Sequence, residues 1–343
     1  MDGSLKVTTT RSRNYNFRVM RRGGHGLFVK QASPYEEQTR ITLNREAAWY
    51  QAVHNSELFE TLRKYLPMYE GYDPDYPMLV IELIQEGISL REYHNQTRLF
   101  PVEIGQLLAE ALTACHSITA SVISKQDVNL FQFQFPWILA VDMHSRVFNN
   151  ALSPANTELL NIIRQEPEFE RVLTELRNRW QQDVLIHGDM KWDNCIVYLN
   201  VDNGAPSSIK LVDWETFGLG EPSWDIGAIF HAYLAYWIWS MPVTDNSTTS
   251  QMIDNARFPI EIMQPAIQAF WQKYCEELQL SEPHTRHLLV DSVMFSGARL
   301  LQTTYESMFQ SMQLTPHAIY MVQLAQNLLM SPEEAIEILL GIS

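Results

Sequence analysis

The stretch that most constrains this chain runs from Ile186 to Glu215. Two apolar, β-branched runs, Cys195–Leu199 and Ile209–Val212, flank the breaker-rich Asn203-Gly204-Ala205-Pro206 and predict a hairpin. A hairpin brings the segment entering its first strand and the segment leaving its second to the same end. Asp189 and Asn194 stand in the first of these segments and Asp213 in the second. Such a set suits chemistry on a phosphate. One carboxylate takes the proton of an acceptor hydroxyl, while an amide and a second carboxylate hold Mg²⁺.

The chain around this hairpin has 343 residues, 46% of them hydrophobic and 19% charged, which suits a soluble globular protein of two lobes. Upstream, Leu5–Thr9, Tyr15–Met20 and Gly26–Lys30 read as strands, with a turn at Arg21–Gly26. Thr39–His54 has helical spacing, with Ile41, Ala48, Trp49 and Ala52 as its expected inner residues. Leu66–Tyr69 and Met78–Ile84 read as further strands, and a helix is expected from about Ser89. Residues 101–120 and 155–181 read as helical, as does Ser223–Trp239, whose apolar run contains His231 and is too short to span a bilayer. After a polar break at Pro242–Ser250, three or four more helices are expected. The predicted fold class is α+β and bilobal: a small antiparallel β-sheet lobe with one main helix (1–84), and a larger, mostly helical lobe (85–343).

Charge is unevenly spread. Residues 1–30 hold seven basic side chains and one acid, leaving 18 basic and 39 acidic residues beyond them. That acidic body argues against nucleic acid as a partner, while the basic front end suits an anion such as nucleotide phosphate. Cys115, Cys195 and Cys275 form no disulfide framework or metal-ligand spacing, and Met1–Lys6 lacks the apolar core of a signal peptide. A cytoplasmic location is expected, with no membrane association.

Individual residues take roles within this frame. Asp189 is the candidate base. Asn194 and Asp213 are the candidate Mg²⁺ ligands, and Glu215 either holds a second metal or orients the loop. Lys191 is placed to neutralise a transferring phosphate, and His187 to lock the loop by hydrogen bonds. Lys30 ends a strand where an ammonium reaches phosphates, provided that an acid such as Glu46 holds it. Between Glu82 and Ile84, a backbone amide and carbonyl can read the edge of adenine.

These pieces, F-V-K, N-R-E-A-A-W-Y, L-V-I-E-L-I-Q-E-G-I-S-L, H-G-D-M-K-W-D-N and L-V-D-W-E-T-F-G-L-G-E-P-S-W-D-I-G, resemble in content and order the aminoglycoside phosphotransferase and choline kinase family of protein-kinase-like enzymes. The resemblance implies a bilobal kinase fold, ATP and Mg²⁺ as cofactors, and phosphorylation of a hydroxyl. It makes Asp225 a structural aspartate that braces the catalytic loop. It also puts a phosphate loop at Thr10–Asn14, where Ser12-Arg13-Asn14 stands without the family's frequent glycine. Arg11 or Arg13 can then replace backbone contacts with a charged one. Met190-Lys191 departs from the small-molecule members and resembles the catalytic loop of Ser/Thr protein kinases.

Three functions are compatible with this pattern. The first is a kinase for a small-molecule alcohol, with the acidic body suiting a cationic amino alcohol or aminoglycoside. The second is a kinase for Ser or Thr of a precursor peptide in lanthipeptide- or thioamide-type biosynthesis, with Phe131–Trp137 lining a groove and a lyase as partner. The third is a catalytically silent nucleotide-binding scaffold.

Overall fold

The structure is a computed structural model that describes residues 5–11, 14–21, 26–33, 35–123, 130–131, 135–141, 152–200, 202–243 and 248–342. In chain order, its first half carries β1 (Leu5–Arg11), β2 (Tyr15–Arg21), β3 (Leu27–Gln31), α1 (Glu37–Asn55), α2 (Glu60–Arg63), β4 (Tyr69–Asp73), β5 (Met78–Glu82), β6 (Gly87–Ser89), α3 (Leu90–Thr97) and α4 (Val102–His116). Then come α5 (Pro154–Gln165), α6 (Pro167–Arg179), β7 (Val184–Ile186), β8 (Cys195–Leu199), β9 (Pro206–Leu211), β10 (Gly218–Gly220) and α7 (Pro222–Trp239). The chain ends with α8 (Thr249–Asp254), α9 (Gln264–Leu278), α10 (Glu282–Ser307), α11 (Pro316–Met330) and α12 (Pro332–Ile338). The described residues form two compact units: one within 1–97, 110–133 and 184–219, the other within 98–109, 134–183 and 220–343.

The first unit is built on an antiparallel five-stranded sheet of order β1-β2-β3-β5-β4. Lys30 sits on the central strand, opposite Asn16 of β2 and Leu79 of β5. Strand β1 runs two residues further than its β-branched run predicts, because Thr10 and Arg11 pair with Asn16 and Tyr15. The expected phosphate loop is thereby shortened to the connection before Asn14. Ser12 and Arg13 in that connection, and Arg22–His25 of the next turn, lie outside the described residues.

The strand expected at Leu66–Tyr69 forms later, at Tyr69–Asp73. Pro67 has no amide to give a ladder, and the Tyr65 and Leu66 carbonyls instead accept from the Leu211 amide and the Lys210 ammonium. Strand β5 stops at Glu82, two residues before its expected end.

Helix α1 buries Thr39, Leu43, Glu46, Ala47, Trp49, Tyr50 and Val53. Trp49 is internal as expected. Ile41 is half-exposed to solvent at 51%, and Ala48 and Ala52 are only partly covered. The inner stripe is displaced because the polar Glu46 belongs to it. Trp49 packs with Phe59, Phe131, Trp214 and Phe217, at ring centroid distances of 4.7–6.1 Å. The predicted hairpin is present as β8 and β9, and the short strand β6 extends it to three strands.

The second unit is helical. Pro167 divides the expected 155–181 helix into α5 and α6, since the residue before a proline disfavours helical backbone. Five helices follow the polar break among the described residues, more than expected because α8 and α12 are only 6 and 7 residues long. Helix α7 is buried on nearly every side, as its apolar composition requires. Among the described residues, no helix is long and apolar enough to cross a membrane.

Gly227 lies where α7 meets α10. A Cβ there would be 2.6 Å from the Ser292 carbonyl oxygen and 2.9 Å from the Ser296 amide nitrogen. Both are backbone atoms that cannot rotate away. Gly227→Ala is therefore expected to destabilise the protein by about 1–3 kcal/mol through overpacking, read as a lowered midpoint in a urea melt. A melt identical to wild type would show that α7 and α10 separate at no cost.

Candidate active site

The loop of residues 187–194 is held by its own alternation. Met190 and Trp192 are fully buried, while the intervening Lys191 side chain is 39% exposed. The Trp192 ring lies 4.5 Å from that of His94 on α3, and the Arg91 guanidinium of the same helix donates to the Asp193 carboxylate at 2.7 Å. Gly188 has φ 81°, in the left-handed region that favours glycine, which turns the chain between His187 and Asp189.

His187 is fully buried and acts as the loop's internal tie. Its Nε2 is 3.0 Å from the Val212 carbonyl oxygen, which can only accept, so Nε2 carries the proton. Its Nδ1 then accepts from the Asp189 amide at 3.3 Å. The Val212 amide donates to the Asn194 carbonyl oxygen at 2.9 Å, which fastens the start of the Asp213 segment to the end of the loop.

Two acid–base groups meet at the loop's exposed edge. The Lys191 ammonium donates to Asp189 Oδ2 at 2.5 Å. Asn194 Nδ2 donates to the Asp189 carbonyl oxygen at 2.9 Å and to Oδ2 at 3.3 Å. That arrangement orients Asp189 and commits the nitrogen end of the Asn194 amide, which leaves Oδ1 as the end suited to a cation.

Lys30 and Glu46 are buried and form one cluster with Asp213, whose side chain is 34% exposed. The Lys30 ammonium donates to Glu46 Oε1 and Oε2 at 2.8 and 2.9 Å and to Asp213 Oδ1 at 2.7 Å, which engages all of its donors. Burial opposes the Lys30 charge, yet Glu46 and Asp213 outweigh it and hold the ammonium well above the usual lysine range. Burial likewise pushes Glu46 up, against the pull of Lys30. Burial would also raise Asp213, but Lys30, with Lys191 and His187 beyond it, holds that carboxyl below the usual range. Asp213 itself is at φ 67°, a strained backbone for a non-glycine residue and a mark of functional sites.

Asn194 Oδ1 and the Asp213 carboxylate are hard oxygen donors, the chemistry that Mg²⁺ selects. Mg²⁺ at phosphate sites commonly takes one or two protein carboxylates and fills its sphere with phosphate and water. The donor set therefore fits that ion. Among the described residues, no cluster of three or more His, Cys, Asp or Glu side chains forms an all-protein cage.

The other expected site residues are placed less centrally. Asn14 is buried at the start of β2. The Glu82 carboxylate accepts from the Met68 amide, and the Glu82 amide donates to the Met68 carbonyl, so both already face β4. Ile84 lies just beyond β5 and is half-buried. Glu215 is half-buried, and its charge contributes to raising Glu46. Asp225 is fully buried in the first turn of α7, within the second unit.

Two residues that organise the cluster escaped the sequence reading. Trp214 donates its amide to Glu46 Oε1 at 3.3 Å and its indole N–H to the Leu211 carbonyl at 3.1 Å. Arg45 donates to the Phe217 carbonyl oxygen, with its guanidinium 4.8 Å from the centre of the Phe217 ring. Their signal was adjacency alone, in the N-R-E and D-W-E tripeptides.

Comparison with known proteins agrees with this geometry. The model of the phosphotransferase enzyme family matches residues 7–255. Among solved structures, a choline/ethanolamine kinase family protein from Mesorhizobium loti is 17% identical, covering 97% of this chain and 90% of that one, with a TM-score of 0.54. Choline kinase LicA from Streptococcus pneumoniae is 16% identical over 96% and 95% of the two chains, with a TM-score of 0.53. A choline kinase from Cryptosporidium parvum Iowa II is 14% identical over 98% and 91%, with a TM-score of 0.55. No curated protein matches the sequence significantly. The family match covers most of the chain and includes Lys30, Glu46, Asp189, Asn194 and Asp213. The chain therefore belongs to the phosphotransferase enzyme family, with the protein-kinase-like fold of aminoglycoside phosphotransferases and choline kinases, and is an enzyme that transfers a phosphoryl group to a hydroxyl.

Proposed function

We propose that this enzyme uses ATP and Mg²⁺ to phosphorylate the hydroxyl of a small cationic molecule, an amino alcohol or aminoglycoside. The observation that carries the reading is the convergence of Lys30, Glu46 and Asp213 in one bonded cluster, tied through Val212 to the loop that bears Asp189 and Asn194. Asp189 accepts the acceptor's proton, and Lys191, at 2.5 Å from it, stabilises charge on the transferring group. Asn194 and Asp213 would hold Mg²⁺, which would supply positive charge to the phosphate oxygens. All three Lys30 donors are engaged by Glu46 and Asp213, so a phosphate contact would replace the Asp213 bond while Glu46 kept the ammonium in place. The backbone at the exit of β5, with the Ile84 amide and the Glu82 carbonyl, would take the adenine edge, and Asn14 would face the phosphates; Arg13, the other residue expected there, lies outside the described residues. The named activity of the choline kinases of similar fold, and an excess of 39 acidic over 18 basic residues beyond residue 30, support a cationic acceptor. The scattered spacing of the three cysteines motivates a cytoplasmic location in this reading.

The peptide reading has lost its structural motive. Phe131 is core, 2% exposed against Trp49 and Phe59. Phe135 packs on Trp180, and Trp137 on Tyr305. Phe131 and Trp137 thus have packing partners, as does Phe135 although it is 44% exposed, and Phe133 lies outside the described residues. Membership of an enzyme family likewise displaces the silent scaffold.

The test is mass spectrometry of pure protein with Mg-ATP, offered amino alcohols and aminoglycosides in one pool and Ser/Thr-containing peptides in another. The first pool is expected to gain one phosphoryl group per acceptor, with no gain when Asp189→Asn replaces the wild type. Gain confined to the peptides would overturn the acceptor assignment.

A further inference from the structure

A non-glycine residue such as Asp213, at φ 67°, keeps that backbone only where its surroundings over-determine it. On its upstream side, the Val212 amide and carbonyl are bonded to Asn194 and His187 of the 187–194 loop. On its downstream side, residues 214–217 form a tight turn, closed by the Phe217 amide donating to the Trp214 carbonyl at 3.4 Å.

Helix α1 pins that turn at both ends with two consecutive side chains. Glu46 accepts from the Trp214 amide at its start, and Arg45 donates to the Phe217 carbonyl at its end. Neighbouring residues on a helix diverge by about 100°, so one helix can reach both ends. The Phe217 ring is fully buried, 4.7 Å from that of Trp49 on the same helix, and the Arg45 guanidinium lies 4.8 Å from its centre. The carbonyl that Arg45 holds is therefore itself fixed. Burial pushes the guanidinium below its ordinary range, so this bond persists against a desolvation cost. From inside the turn, the Thr216 hydroxyl donates to the His187 carbonyl at 3.1 Å, which returns the clamp to the loop that carries Asp189 and Asn194.

We propose that Arg45 is a positioning residue for the metal site. By fixing the end of the 214–217 turn, it keeps Asp213 in its strained conformation with the carboxylate set for a divalent cation, and so governs metal affinity without touching the metal. Mg²⁺ demands near-ideal octahedral geometry, so a ligand on a loosened backbone binds it poorly. Residues that orient metal ligands from behind commonly change affinity as much as this requires. The proposal rests on the reading above that Asn194 and Asp213 hold Mg²⁺, and names the residue that tunes that site.

Calorimetric titration of the full chain with ADP tests it, run once with Mg²⁺ and once with EDTA. The ratio of the two affinities is the metal's contribution, expected to exceed about tenfold in the wild type. Arg45→Met keeps the aliphatic stem and loses the donor. It should shrink the ratio by about fivefold or more, while the affinity for metal-free ADP changes less than about twofold. Arg45→Lys, which restores the charge and a donor, should recover part of the ratio. In an Asp213→Asn background, Arg45→Met should cost nothing further, because the ligand through which it acts is gone. If a urea melt shows that Arg45→Met does not fold, Arg45→Gln takes its place with the same expectation. A ratio unchanged in the folded variant would leave Arg45 with a packing role only and overturn the proposal. A wild-type ratio that survives Asp213→Asn intact would reject Asp213 as a metal ligand, and absence of ADP binding would reject the nucleotide reading. Either of these also overturns the role given to Arg45.

Discussion

Asp189→Asn should lower kcat by about 10²–10⁴-fold, the range that a positioned general base contributes, while the affinity for Mg-ATP changes little. Asparagine keeps the shape of aspartate and can still be held by Asn194 and Lys191, which bond its carboxylate in the native protein. It cannot take the acceptor's proton. The effect should therefore fall on kcat, with KM for the acceptor largely preserved, because an interaction made mainly in the transition state is the one removed. Steady-state kinetics on the acceptor identified by mass spectrometry, with nucleotide binding by calorimetry, separate the two. Turnover equal to wild type would remove Asp189 from the role of base. A parallel loss of nucleotide binding would mean that the loop had been disturbed as a whole.

Lys30→Met should be the most destabilising single change in the cluster, costing about 3–5 kcal/mol, as when one partner of a buried ion pair is deleted. Methionine fills much of the space but leaves Glu46, which is 1% exposed, and Asp213 facing each other without a cation. In that variant, the Glu46 carboxyl, already raised by burial, rises further. The sign of the pH dependence follows. A carboxyl with a folded pKa above its unfolded value binds a proton more readily when folded, so stability falls as pH rises through that interval. The deficit of Lys30→Met relative to wild type should accordingly be smaller at pH 5 than at pH 8 in urea melts. Lys30→Met/Glu46→Gln should recover part of the loss, because the stranded charge is gone. A single variant as stable as wild type at both pH values would mean that Lys30 does not neutralise this cluster.

The residues proposed to carry the chemistry were legible because their types and order permit few other uses. Asp189, Asn194 and Asp213 flank a hairpin whose strands declare themselves by β-branched runs around a Gly-Pro turn. A hairpin brings together groups separated by some twenty residues, with no need of the rest of the fold. The Lys30–Glu46 pair was readable only as a conditional: a lysine ending a strand and an acid on the next helix make sense together once the hairpin supplies the phosphate chemistry. The packing of α1 was less legible. Apolar periodicity gave a stripe through Ile41, whereas the true stripe includes Glu46 and leaves Ile41 half-exposed. A charge neutralised by a partner on another element, as Glu46 of α1 is by Lys30 of β3, does not register as a core residue in a hydrophobicity pattern.

Local bonding along the chain decided the hairpin, the turn at Gly188 and the division at Pro167. Those depend on backbone preference and on residues close in sequence. Tertiary contact alone decided that Lys30 bonds Glu46 and Asp213 at once, and that Trp214 and Arg45 fasten α1 to the segment after β9. The physical reason is distance along the chain. These contacts join residues up to 183 positions apart, and their energies come from burial and the neutralisation of charge. Both depend on which surfaces meet, and a local window of sequence does not contain that information.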